Sequence, residues 1–145
     1  FYDKEERRQD VRHFFYEQVA RPLARKKIRA SLALLEFVNL LHKPGPVFNF
    51  LAEAARADGA DFFYRVNDDT EMRVPWAARF VDALDGYKPP RLGVVGPYCP
   101  QGNNRILTHD FVHRTHLNIF KLYYPPSLSD WWMDDWISKV YPRAN

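Results

Sequence analysis

Two pairs of adjacent carboxylates and a spaced set of histidines are the side chains here that could do chemistry. The first pair lies in "DFFYRVNDDTEM", residues 61–72, where an apolar run meets Asn67, Asp68 and Asp69. Adjacent like charges repel, and each costs free energy away from water. Solvent, a cation or a helix N-terminus would relieve them. Hard oxygen ligands at such a point suit Mn²⁺ or Mg²⁺, ions that also bind phosphate oxygens. A solvated turn in which Asp68 or Asp69 caps the next helix reads the same residues without a metal. The second pair, Asp134 and Asp135, lies in "SDWWMDDWI" with Asp130 upstream and three tryptophans around it. A carboxylate beside bulky rings is a candidate general base, because partial desolvation raises its pKa toward neutrality. Ser129 or Asp130 as a helix cap, with the tryptophans as packing, is the plainer reading. The third group is His109, His113 and His116. On a helix they would share one face, as a zinc site requires. No Glu follows His109, and the β-branched and aromatic neighbours favour a strand, in which only His109 and His113 share a face.

Elements must carry these groups into place. Val11, Phe14, Phe15 and Val19 recur at helical spacing, so a helix is expected over 4–19, ended by Pro22. A strand is expected over 33–38. Pro44, Gly45 and Pro46 break the chain. Val47, Phe48, Leu51, Ala54 and Ala55 then give one apolar helix face, stopped at Gly59. "ADFFYRV" reads as a strand, "VPWAARFVDALDG" as a helix, "RLGVVGP" and "RILTHDFVHR" as strands, and "THLNIFKLYY" and "WWMDDWISKVY" as helices. Alternating helices and apolar strands predict a single α/β domain over 1–145, with a mainly parallel sheet and flanking helices. Ligands of such sheets sit beyond the carboxyl ends of strands, where "NDDT" falls.

The bulk composition narrows the function classes. The formal charge is +3 and no Lys/Arg stripe interleaves with aromatics, so nucleic acid is not an expected partner. The densest basic run, "RPLARKK", reads as a solvated helix end. The single cysteine, Cys99, excludes an internal disulfide and a multi-cysteine zinc site. Aromatics make up 16% of residues, enough to line a pocket for a flat or sugar-like ligand as well as a core. No stretch is long and apolar enough for a membrane span. There is no glycine-rich phosphate loop, serine elbow or Walker-type lysine.

Taken in order, four segments resemble a glycosyltransferase of the GT-A fold, of the inverting family 2-like group. "KPGPVFNFLAEAARADGADFFYRVNDDTE" resembles that group's lysine, small-residue turn, asparagine-bearing helix and strand ending in a DxD metal motif followed by Thr. "RLGVVGP" resembles its next strand, "ILTHDFVHRTHLNIF" the strand and helix after it, and "LSDWWMDDWISKVY" the acidic segment that holds the catalytic base. The likeness spans about residues 37–141. It implies a Rossmann-type sandwich truncated at both ends, since the group's nucleobase-binding first strand and a histidine beyond the base segment are not found. Opening at Phe1, the chain reads as a fragment of something longer.

The resemblance also implies roles. Asp69, with Asp68 beside it, would hold Mn²⁺ or Mg²⁺. Asn67 stands where the motif has its first Asp and would contact the donor, with Lys43, Asn49, His113 and Arg114 as further donor-side residues. Asp135, or else Asp134, would be the base. Trp131 and Trp132 would stack on an acceptor sugar. The implied partners are a nucleotide-sugar donor and a carbohydrate or glycoconjugate acceptor. The implied compartment is the secretory-pathway lumen, and any membrane anchor would belong to a longer parent. Two other classes stay open: a non-catalytic carbohydrate- or glycoprotein-binding module, and a metal-dependent hydrolase using the histidines.

Overall fold

The structure is a computed structural model that describes residues 5–27, 30–67, 70–100, 103 and 105–141. The chain divides into two compact units, Phe1–His42 and Lys43–Asn145.

In the first unit, helix α1 (Glu5–Phe15) runs into a π-helical turn (Tyr16–Ala20) and then α2 (Arg21–Arg25). Pro22 does not end the helix. It falls in the first turn of α2, where a missing N–H costs little, and the wider π turn carries the bond from Arg21 N–H to Tyr16 C=O just before it. The strand expected over 33–38 is not formed. These residues have no regular structure, and Leu32, Leu34, Leu35, Val38, Leu40 and Leu41 are exposed. Arg8 pairs with Glu36 across this unit at 2.5 Å.

The second unit holds a three-stranded sheet. Its elements are α3 (Pro44–Ala57), β1 (Phe62–Arg65), α4 (Ala77–Asp85), β2 (Val94–Val95), β3 (Asp110–His113), α5 (Thr115–Phe120) and α6 (Met133–Val140). The expected mainly parallel Rossmann-type sheet is corrected here. The strand order is β1-β3-β2, and β3 pairs antiparallel with both neighbours. β1 and β2 run the same way, but β3 lies between them. A parallel neighbour would need a crossover element after β2. Among the described residues from Gly96 to His109 there is no helix, so the chain simply turns back.

The register places Phe63 opposite Val112, which also faces Val94, and these three point to one side. There they meet Ala52 and Phe48 of α3, Leu117 of α5, Met133 and Ile137 of α6, and Tyr123 and Tyr124. On the other side, Tyr64 and Phe111 pack against Trp76 and Phe80 at the start of α4, with ring centroids 4.6–6.0 Å apart. The sheet is thus covered on both faces. Lys121 closes α5 with φ 68°, and Gly59 follows α3 with φ 88°, a left-handed position that glycine takes without steric cost. No helix among the described residues is long and apolar enough to cross a membrane.

Candidate functional site

β1 ends at Arg65, and the chain turns at once: the Thr70 N–H donates to the Asn67 carbonyl at 3.3 Å. Asp68 and Asp69 lie outside the described residues. The floor beneath the turn is a buried charge network. Arg65 and Asp110 are direct cross-strand partners, and Asp110 is fully buried. The Asp110 Oδ2 accepts from Arg65 Nη2 at 2.7 Å, Arg65 Nε at 3.0 Å and the Tyr124 hydroxyl at 2.6 Å. Its Oδ1 accepts from the Tyr123 hydroxyl at 2.5 Å. Arg65 Nη1 is left to reach upward, donating to the Thr108 carbonyl at 2.6 Å and to Asn67 Oδ1 at 3.4 Å. Burial works against the Arg65 charge, but the Asp110 carboxylate and Tyr124 more than offset it, and the guanidinium pKa ends up raised. Burial pushes both tyrosine hydroxyls up, and the Asp110 charge adds to the effect.

The helix that carries the tail acids is tied to the loop before β3. Asp134 and Asp135 occupy the first turn of α6. The Ser138 hydroxyl donates to the Asp134 carbonyl at 2.6 Å and accepts from the Leu107 N–H at 2.7 Å. Leu107 precedes Thr108, the residue held by Arg65. A continuous chain of bonds therefore joins Asn67 to the start of α6. The Asp134 Oδ1 accepts from the Asp135 N–H at 3.0 Å within the first turn of α6. Asp135 meets Lys139 one turn on, at 2.7 Å.

α3 runs back along β1, and Phe48 in its second turn lies 5.4 Å beneath the Arg65 guanidinium. Gly45 N–H donates to the Ser129 carbonyl at 2.8 Å, and Lys43 pairs with Asp130 at 2.5 Å. Trp131 and Trp132 follow, 78% and 67% exposed. Trp132 has φ 72°, rare for a bulky residue. Thr70 Oγ1 lies 3.4 Å from His109 Nε2 on the facing loop.

Not every sequence-expected residue arrives here. His113 and Arg114 follow β3 to its far end, about 10 Å away for a strand of this length. His113 pairs with Phe62 at the start of β1, and its Nδ1 accepts from the Thr115 N–H at 3.2 Å. Burial lowers its pKa, and the Arg91 charge lowers it further. Arg114 pairs with Asp61 at 3.0 Å. Asn49 uses its whole amide on the Tyr124 backbone, donating at 3.0 Å and accepting at 2.8 Å. His109, His113 and His116 do not gather. His116 is buried under α6, donating from Nε2 to the Tyr123 carbonyl at 2.8 Å. Among the described residues no group of three or more His, Cys, Asp or Glu could hold a metal ion. The acids that the resemblance assigns to a cation are the two outside that set.

Sequence reasoning missed Arg65 and Asp110. Arg65 closes β1 in "ADFFYRV" and Asp110 opens β3 in "THDFVHR", each next to apolar strand residues. Opposite charges so placed signal a cross-strand pair. A cavity of about 320 Å³ lies between α3 and the outer edge of β1, lined by Phe48, Leu51, Ala55, Phe62, Tyr64 and Val66 among others. It is apolar and runs along the edge strand from Phe62 to Val66. No family model matches the chain, and no curated protein or solved structure is similar to it at a significant level.

Proposed function

We propose that the Lys43–Asn145 unit is a glycosyltransferase domain that moves a sugar from a nucleoside-diphosphate donor to an acceptor hydroxyl with inversion. The observation that carries this reading is the bonded path from Asn67 through Arg65 and the 107–108 loop to α6. It ties Asn67, next in sequence to the first acidic pair, to Ser138 of the helix that carries the second. Lys43 pairs with Asp130, next to the exposed Trp131 and Trp132.

In this reading Asp135 takes the proton of the acceptor hydroxyl while that oxygen attacks the anomeric carbon. The bond from that carbon to the diphosphate oxygen breaks, and the diphosphate leaves with the electron pair. Mn²⁺ or Mg²⁺ on Asp69 and Asp68 would supply neutralising charge to the departing diphosphate. Lys139 pairs with the Asp135 carboxylate at 2.7 Å until an acceptor displaces it. Asn67 and Lys43 are the donor-side residues. Trp131 and Trp132 offer flat faces to an acceptor ring.

The test is sugar transfer from a panel of nucleotide sugars with Mn²⁺. Asp69→Ala and Asp135→Asn should each cut turnover by about 10²-fold or more. Full metal-dependent transfer by Asp69→Ala would overturn the assignment.

The strained, exposed Trp132 favours a second reading, a carbohydrate-binding module without chemistry. Such a module binds oligosaccharide and loses it on Trp132→Ala, but shows no Mn²⁺-dependent affinity for UDP or GDP.

A further inference from the structure

The outer edge of the sheet carries a ladder and a groove that the proposed chemistry does not use. β1 is an edge strand, paired with β3 on one side. The Arg114 N–H donates to the Asp61 carbonyl at 2.7 Å, and this bond sets the antiparallel alternation. Residues 61, 63 and 65 bond toward β3, so Phe62 and Tyr64 turn their N–H and C=O groups outward. Among the described residues these outward groups have no backbone partner. No lysine or proline guards the edge between 61 and 67. Beside it lies the cavity of about 320 Å³, walled by Phe48, Leu51 and Ala55 of α3 and by Phe62, Tyr64 and Val66. A free ladder next to an apolar slot is what recognises an extended peptide. Backbone bonds hold it, and the slot takes alternate side chains. This sheet is covered on both faces, by α3 on one and by Trp76 and Phe80 on the other, so a strand added here meets apolar neighbours on both of its sides.

The chain carries a segment of that kind. In "SLALLEFV", residues 31–38, an extended backbone puts Leu32, Leu34 and Val38 on one side and Ala33, Leu35 and Phe37 on the other. Glu36 is its single charge, and Arg8 holds it at 2.5 Å. The segment has no regular structure, and Leu32, Leu34, Leu35 and Val38 are exposed. Each copy therefore presents one slot and one strand. A two-fold exchange satisfies both in each copy and closes on itself. We propose that the free edge of β1 takes residues 31–38 of a second copy as an added strand, whose alternate apolar side chains fill the groove against α3.

The experiment sediments the whole chain over a wide concentration range and follows amide exchange of Phe62 and Tyr64 by NMR at low and high concentration. Leu34→Pro removes a ladder N–H from the exposed segment. Leu51→Lys puts a charge in the groove at a side chain 43% exposed, which spares the core. Leu40→Lys, at a leucine 83% exposed outside the segment, controls for general stickiness. The expected result is a concentration-dependent dimer in which both amides exchange about tenfold or more slowly than in the monomer. Leu34→Pro and Leu51→Lys should be monomers with fast exchange, and Leu40→Lys should still dimerise. An excess of the 31–38 peptide should split the unmodified dimer and keep both amides slow, a readout that needs no variant to fold. A monomer at every concentration overturns the proposal: with both amides fast the edge is empty, and with both slow it is covered within one copy. A dimer that survives Leu34→Pro and the peptide, or one that Leu40→Lys breaks equally, also overturns it.

Discussion

At the scale of single residues, Asp110 and His116 show how buried polar groups are held here. Asp110 has four side-chain donor bonds on its two oxygens. Asp110→Asn removes the negative charge beneath Arg65 and turns one acceptor into a donor facing a hydroxyl. Breaking a buried pair in this way costs about 3–5 kcal/mol, which urea unfolding should read as a large drop in midpoint. His116 donates from Nε2 to the Tyr123 carbonyl, so the neutral ring accepts at Nδ1 from the Tyr141 hydroxyl at 2.7 Å. Burial lowers its pKa below 6.5, although the Tyr123 carbonyl works the other way. The unfolded chain therefore binds a proton first as pH falls. The stabilising effect is full above pH 6.5 and is lost as pH drops from there toward the folded value. The unfolding midpoint should fall between pH 7.5 and 5.5. His116→Gln, which can keep both bonds, should flatten that slope, leaving the part that His113 contributes through its own lowered pKa. A slope unchanged by the substitution would remove His116 from the account. None of these roles was visible in sequence, because a pair separated by 45 residues becomes a pair only once register is set.

At the scale of elements, the helices and β1 were legible and the pairing was not. The apolar spacing of α3 and the run "DFFYR" announced their types. α3 nevertheless starts at Pro44 rather than after Pro46, because prolines in a first turn lose no bond. The sheet was misread for a traceable reason. "RLGVVGP" and "RILTHDFVHR" follow one another with no helical pattern between them, a sign of antiparallel neighbours that the general alternation obscured. The strand expected over 33–38 failed because its apolar residues share no face with a partner strand in their own unit. Gly45 marks where two elements touch most closely. An added Cβ would stand 2.8 Å from the Ser129 oxygen and 2.9 Å from its Cα. Gly45→Ala must push the 129–132 loop off α3. It should cost about 1–3 kcal/mol and weaken the Lys43–Asp130 pair, seen as a lower melting temperature and shifted Trp131 and Trp132 resonances. A melting temperature unchanged by that substitution would mean the two elements are not locked together there.

At the scale of the whole second unit, direction along the sheet sorts the candidate residues. The carboxyl end of β1 holds Asn67, and the loop before β3 at that end is tied to Ser138 of α6, while the other end holds His113 opposite Phe62 and the Arg114–Asp61 pair. This division was hidden in the sequence because a parallel β3 would have carried His113 to the same end as Asn67. The most direct test is paramagnetic broadening by Mn²⁺ in the presence of a bound nucleoside diphosphate. A cation at the turn after β1 should broaden the backbone signals of Asn67, Thr70, Thr108, Asp134 and Asp135 and leave those of His113 and Arg114 sharp. Broadening centred on His113 and Arg114, or signals at Asp134 and Asp135 untouched while Asn67 disappears, would contradict a single site built from both acidic segments.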